Sequence, residues 1–261
     1  MAYAIIIVVS LAVSALTLFS AFGLGTLLLP AFALFFPVPV AVAATAVVHL
    51  ANNLFRAGLL GRHADWPVVL RFAVPGAAAA VLGALLLQAV ANMPPLFTYQ
   101  LFAQTHTVTA VRLVVAMLII FFSLFELLPR LQHLQFDRKY AILGGILSGF
   151  FGGLSGHQGA LRSAFLINIG LSKEAFVSTS VISAVVVDVA RLLVYGLAFY
   201  AQHFTPVSGE VLGLVAAGCA AAFAGSFIGA RLLPKITLHT VQLIVGVMLV
   251  FIGVLMALGL A

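Results

Sequence analysis

The sequence predicts an all-α polytopic membrane protein built from two inverted-topology repeats, each a broken helical hairpin followed by three transmembrane helices. Three observations predict it. The 261-residue chain is 64% hydrophobic and 7% charged, with a mean hydropathy of +1.26, whereas soluble domains carry about 25% charged residues. Its apolar runs are continuous and of membrane-crossing length, about 20 residues, without the polar–apolar alternation of barrel strands. Two of those runs are broken by glycines, at Phe22-Gly23-Leu24-Gly25-Thr26 and at Phe151-Gly152-Gly153-Leu154-Ser155-Gly156-His157-Gln158-Gly159. A glycine break in a membrane span exposes backbone groups and is tolerated where they line a cavity. A matched pair of breaks, one in each half, marks the binding site of a transporter.

Taken in order, the hydrophobic units run over 3–36, broken near Gly23–Thr26, then 38–59, 67–90 and 108–128. The second half repeats the series as 140–169, broken near Gly152–Gly159, then 175–200, 209–232 and 239–260. The whole chain, 1–261, reads as a single membrane domain, with 1–128 as the first repeat and 140–261 as the second. Segment 91–107, with Pro94-Pro95 and several polar residues, reads as a loop. The N-terminus has no basic stretch or cleavage site, so it reads as a first span and not as a removed signal.

Loop charges set the orientation. Arg56, Arg62 and Arg71 cluster about the second connection, Arg130, Arg138 and Lys139 precede the second broken unit, Lys173 follows it, and Arg231 and Lys235 lie between the last two units. Segments 91–107 and 201–209 hold no Lys or Arg. Positive loops face the cytoplasm. Unit 140–169 is then flanked by cytoplasmic charge on both sides and must enter and return on one face. If the first unit behaves likewise, both ends are external and the halves are inverted. The order of features repeats too: Thr45 is echoed by Thr179, Arg56 by Arg191, and Gly76 and Gly83 by Gly218 and Gly225.

Each break is followed by a helix with a polar stripe. Thr45, His49, Asn52, Asn53 and Arg56 share one helical face, and Ser180, Asp188, Arg191 and Tyr195 share another, with Thr179 and Ser183 beside it. Asp188 falls near midspan, where an ionisable group needs a partner or water. Two readings stand for it: an internal Asp188–Arg191 ion pair, or Arg191 binding an anion while Asp188 fixes its geometry or carries a proton. The second break is the richest polar cluster. A helix restarting near Gln158 presents free N–H groups and a positive dipole end to the membrane interior. Ser155, His157 and Gln158 supply hydrogen bonds, and Arg162, one turn on, supplies a bidentate fork for an oxyanion. Arg162 as a buried partner of Asp188 is the plainer alternative. The first break offers Gly23, Gly25 and Thr26 without charge. The candidate substrate-binding set is therefore Ser155, His157, Gln158, Arg162, Arg191, Thr26, Thr45, His49, Asn52, Asn53, Thr179 and Ser180, with Asp188 and His157 as candidates for proton coupling.

The remaining charges read as structural. Glu126 and Arg130 form an i,i+4 pair at a span end, Arg112 sits at the external interface, and Asp65-Trp66-Pro67 caps a helix start. The net charge of +6 sits mostly in short loops and reports orientation, so no nucleic acid partner is expected. The expected partners are a small anion and the bilayer, with a homo-oligomer compatible. The lone Cys219 has no metal-ligand company, and no G-x-x-x-x-G-K-[ST] nucleotide motif exists, so no cofactor or metal is expected.

On these residues the sequence resembles the TauE/SafE family of membrane anion permeases. The resemblance spans nearly the whole chain. It is carried by the glycine break after the first span, Pro30, the Ala43-Ala44-Thr45 helix start, and their echo at Gly152–Gly159 and Ser178-Thr179-Ser180. It implies a non-enzymatic permease for sulfite, sulfonates, related sulfur oxyanions or carboxylates, in a bacterial inner membrane. At Ser155-Gly156-His157-Gln158 the chain departs from a plainer glycine run, which leaves the anion open. Two other readings are an intramembrane serine protease using Gly153-Leu154-Ser155-Gly156, for which His203 and His239 are poorly placed bases, and a passive anion channel.

Overall fold

The computed structural model describes residues 1–16, 24–101, 104–132, 134–202, 209–232 and 238–260. Phe22, Gly23, His203 and Lys235 lie outside them, as do the side chains of Thr26, Glu126, Arg231 and His239. The helices are α1 (Ala2–Leu16), α2 (Leu24–Ala33), α3 (Val38–Leu60), α4 (Trp66–Ala91), α5 (Ala110–Leu127), α6 (Pro129–Gln132), α7 (Ala141–Ser155), α8 (Gly159–Leu166), α9 (Lys173–Gln202), α10 (Gly209–Leu232) and α11 (Leu238–Ala257). Single 3-10 turns occupy Gly61–His63 and Arg138–Tyr140. Stretches of α3, α4, α9 and α10 are long and apolar enough to cross a membrane. Leucines such as Leu82, Leu193 and Leu197 stand exposed on their outer faces, as expected of side chains solvated by lipid tails.

The second break folds back on itself. α7 has 15 residues, about 22 Å at 1.5 Å per residue, and falls short of a ~30 Å hydrocarbon core. It ends at Gly156, whose φ of 84° is left-handed and whose N–H donates to the Gly152 carbonyl at 2.9 Å. Glycine adopts that conformation without a Cβ penalty. α8 then runs back beside α7. Ser148 Oγ donates to the Gln158 carbonyl at 2.9 Å, the Phe136 N–H donates to Ala164 O at 3.2 Å, and the Phe136 and Phe165 rings stack at 4.1 Å. α8 therefore returns to the end from which α7 set out.

The halves are interleaved. α4 packs along α7, and α10 packs along α1; α3 packs on α9, and α5 on α11. Small residues allow the first two contacts. A Cβ on Gly145, Gly149 or Gly153 of α7 would collide with the carbonyls of Phe72, Gly76 and Ala80 on α4. One on Gly225 or Gly229 of α10 would collide with those of Leu11 and Ala15 on α1. Without a hydrophobic driving force between helices in lipid, this close backbone approach supplies much of the cohesion.

Two expectations are corrected. Segment 91–107 is not all loop: Phe97–Leu101 (β1) pairs antiparallel with Gln104–Val108 (β2), Tyr99 opposite His106. α4 ends at Ala91, three residues before Pro94-Pro95, and the β-branched and aromatic residues beyond them (Phe97, Thr98, Tyr99, Thr105, Thr107, Val108) favour extended backbone. Arg130 does not continue the helix of Glu126, because Leu128, preceding Pro129, is extended (φ −97°, ψ 111°) and ends α5. The cap reading at Asp65 holds: Asp65 Oδ1 accepts the Val68 N–H at 3.0 Å, with Pro67 in the first turn.

Candidate functional site

The two breaks meet in the interior. A Cβ built on Gly25, at the start of α2, would lie 3.1 Å from the Gly156 carbonyl oxygen and 3.8 Å from Thr45 Cγ2. The start of α2, the turn at Gly156 and the α3 stripe thus share one place. Gly25 and Gly156 are both buried.

Beside this junction, Asp188 on α9 is the hub of a buried network. Arg191, one turn on, donates to Asp188 Oδ1 from Nε at 3.0 Å and from Nη2 at 2.7 Å, and from Nη1 to the Gly152 carbonyl at 3.1 Å. Gln158 Nε2 donates to the same Oδ1 at 2.9 Å. From α3, His49 Nδ1 lies 2.6 Å from Oδ2 and Asn53 Nδ2 donates to Oδ2 at 3.3 Å. Asp188 and Arg191 are both 0% exposed. Taking two charges out of water is costly, and only dense hydrogen bonding of this kind offsets it. Removing one partner of such a pair costs about 3–5 kcal/mol.

Arg162, on the first turn of α8, does not touch Asp188. Its Nη1 donates to Gln158 Oε1 at 3.1 Å, so the Gln158 amide relays between guanidinium and carboxylate. Arg162 Nε has no partner. His157 Nδ1 is 2.9 Å from Ser155 Oγ, its ring stacks on Phe122 at 5.5 Å, and its Nε2 is unpartnered. Thr45 Oγ1, 1% exposed as a residue, and Ser180 Oγ also lack partners. Buried polar atoms are normally paired; the hydroxyls of Ser10, Ser14 and Ser183 are unpartnered as well.

Of the residues singled out from sequence, His49, Asn53, Gln158, Arg162, Asp188 and Arg191 come together, with Ser155 and His157 adjoining and Thr45 at the hairpin junction. Asn52 turns away, its Oδ1 accepting from Ser226 Oγ on α10 at 2.8 Å. Thr179 Oγ1 accepts the Asp65 N–H at 2.9 Å and serves the start of α4. Thr26's side chain lies outside the described residues. Sequence reasoning missed Ser226, Phe122 and the carbonyls of Gly152 and Gly153, the latter accepting from the Tyr195 hydroxyl. Tyr195 was visible as the next turn of the Asp188–Arg191 stripe. Ser226 follows Gly225 in a small-residue helix, where nothing distinguishes a network member from a packing residue.

The protease reading finds Ser155 and His157 within hydrogen-bond reach, but no carboxylate among the described residues orients the imidazole, as a nucleophile–base pair requires. Both side chains are buried, at 1% and 2% exposure.

No curated protein matches the chain. The family model described as "Sulfite exporter TauE/SafE" matches residues 6–256, nearly the full length and including both breaks, both stripes and the Asp188 network. That family consists of membrane transporters, and with several apolar helices the chain is an integral multi-pass membrane protein. The chain belongs to the sulfite exporter TauE/SafE family.

Proposed function

We propose that the chain is a secondary transporter for a small anion, a sulfur oxyanion or an organosulfonate, that works by alternating access around a midplane site. One observation carries the reading: the glycine tips of the two halves touch, at Gly25 and Gly156, beside buried Arg191 and half-buried Arg162. The site draws an oxyanion through the Arg162 and Arg191 guanidiniums, the amides of Gln158 and Asn53, and the unpartnered Thr45, Ser180 and His157 groups. Planar guanidinium forks match oxyanion geometry better than ammonium groups do.

Inverted repeats at 1–128 and 140–261 are supported by the exchanged packing, α4 on α7 and α10 on α1, and by the loop charges. Rocking one half against the other about the tips would expose the site alternately to each side. A bacterial inner membrane suits this topology.

The test is flux of labelled sulfite, thiosulfate and small sulfonates in proteoliposomes. Arg162→Ala and Arg191→Ala, each checked for monodispersity, are expected to abolish it. Wild-type flux from either variant would sink the site assignment.

A further inference from the structure

Asp188 receives five N–H contacts from four side chains: Arg191 twice, Gln158, Asn53 and His49. These are the groups an incoming oxyanion needs. Three of the five guanidinium N–H groups of Arg191 are engaged in this way, two on Oδ1 and one, from Nη1, on the Gly152 carbonyl. The carboxylate holds the Nε/Nη2 edge of Arg191, the fork that an oxyanion would take. Resting on the transporter reading above, we propose that Asp188 is a resident counter-anion, and that the substrate displaces it from Arg191 only when His49 takes up a proton that then travels with the anion.

The geometry supplies the exchange. His49 stands on α3 of the first half and Asp188 on α9 of the second, 2.6 Å apart from Nδ1 to Oδ2. With Nδ1–H on the carboxylate, Nε2 is the atom that accepts a proton, and the Asn53 amide 3.4 Å from it must then turn aside. The resulting imidazolium keeps Nδ1–H on Oδ2 and supplies the positive charge that Asp188 otherwise draws from Arg191. Arg191 Nε and Nη2 then turn from Oδ1 to an oxygen of the substrate. On release the anion leaves, the proton leaves Nε2 for water on the same side, and Arg191 returns to Oδ1. One N–H bond forms at His49 Nε2 and breaks again on release to water, no bond between heavy atoms changes, and one anion and one proton move in the same direction.

The surroundings bear on that proton from each packed element. Arg191 and Tyr195 lie on α9 itself, Arg162 on α8, His157 in the break and Arg56 on α3. From α4 and the turn before it, Arg71, Arg62 and His63 are exposed at the surface, as is Glu210 on α10. Asp65, half-buried at the start of α4, turns its carboxylate to the Val68 N–H, so among the described residues Asp188 is the one carboxylate bonded within the network.

The test uses proteoliposomes loaded with a pH-sensitive dye and given an inward gradient of methanesulfonate or thiosulfate, anions that carry no exchangeable proton near neutral pH. Labelled anion and luminal acidification are read together. The wild type is expected to move about one proton per anion, because proton and anion binding are thermodynamically linked. In Asp188→Asn, which has no counter-anion to displace, the ratio is expected to fall toward zero; in His49→Gln, which cannot take up the proton, anion flux itself is expected to be lost. It is counted per anion moved, so a slow variant still reports. If Asp188→Asn does not fold, His49→Gln and the wild-type ratio decide. Anion flux without acidification in the wild type, or wild-type flux in His49→Gln, overturns the inference while leaving transport intact. Absence of flux for both anions overturns the transporter reading and this inference with it.

Discussion

Gly25 and Gly156 meet backbone against backbone: a Cβ added at Gly25 would stand 3.1 Å from the Gly156 carbonyl oxygen, so the neighbouring backbone would have to give by a few tenths of an ångström. The glycines belong to different halves of the chain. Their contact brings together two interruptions that are 131 residues apart in numbering (156 − 25). It also gives a reason for glycine that does not depend on helix breaking alone.

Enlarging this contact is expected to jam the junction. Gly25→Val forces a branched side chain against backbone that cannot yield as a flexible side chain would. The variant should insert and purify, yet lose at least nine-tenths of anion flux in proteoliposomes. Overpacking of a close contact costs roughly 1–3 kcal/mol, so its thermal stability should fall modestly. Unaltered flux would mean that the tips do not need to meet.

The α4–α7 seam calls for a different outcome. Gly149→Val sets a side chain into the Gly76 backbone and should lower stability by about 3 kcal/mol or prevent purification, since neither helix can retreat without opening the whole seam. Gly196→Ala, which meets nothing within 4 Å, is expected to leave the thermal unfolding temperature in place. Equal behaviour of the two variants in a detergent melt would contradict the packing described.

Thr179 separates stabilising from binding residues. Its hydroxyl holds the Asp65 N–H at 2.9 Å. Thr179→Val is expected to cost about 1–3 kcal/mol, the range for a polar group left without its partner, while the half-saturating anion concentration stays within about twofold. A large rise in that concentration with an unchanged melt would instead put Thr179 in the binding site.

Gln158 is expected to behave in the opposite way. It links Arg162 to Asp188 through its two amide ends, at 3.1 Å and 2.9 Å. Gln158→Leu keeps the volume but removes both hydrogen bonds and leaves charged partners less satisfied. Weakening of anion binding by about tenfold or more is expected, since hydrogen bonds to charged groups are worth about 1.5–3 kcal/mol. Isothermal titration against the best anion provides the check, and unchanged affinity would remove Gln158 from the site.

Much of this arrangement was legible in the chain. The breaks announced themselves because glycine and hydroxyl residues interrupt otherwise unbroken apolar runs. The stripes were legible because His49, Asn53 and Arg56, like Asp188, Arg191 and Tyr195, recur at helical spacing. Pairing across helices was not. His49 and Asp188 are each readable as a polar residue at depth, yet their 2.6 Å contact depends on how α3 meets α9, which no local pattern encodes. The same is true of Thr179 and Asp65, and of Ser226 and Asn52. The hairpin at Phe97–Val108 escaped because Pro94-Pro95 signals a loop and each strand has only five residues, too few for alternation to stand out.

The central claim is that the buried cluster at the junction of the tips binds a small sulfur-containing anion. Thermal unfolding of the purified protein against sulfite, sulfate, thiosulfate and small sulfonates, run in parallel on wild type and Arg162→Ala, tests it most directly. A ligand at one hundred times its dissociation constant stabilises the folded state by about 2.7 kcal/mol. At least one of these anions should raise the wild-type melting temperature in a saturable manner and leave Arg162→Ala unmoved. An equal, saturable shift in both proteins, or none with any of the anions, would contradict it.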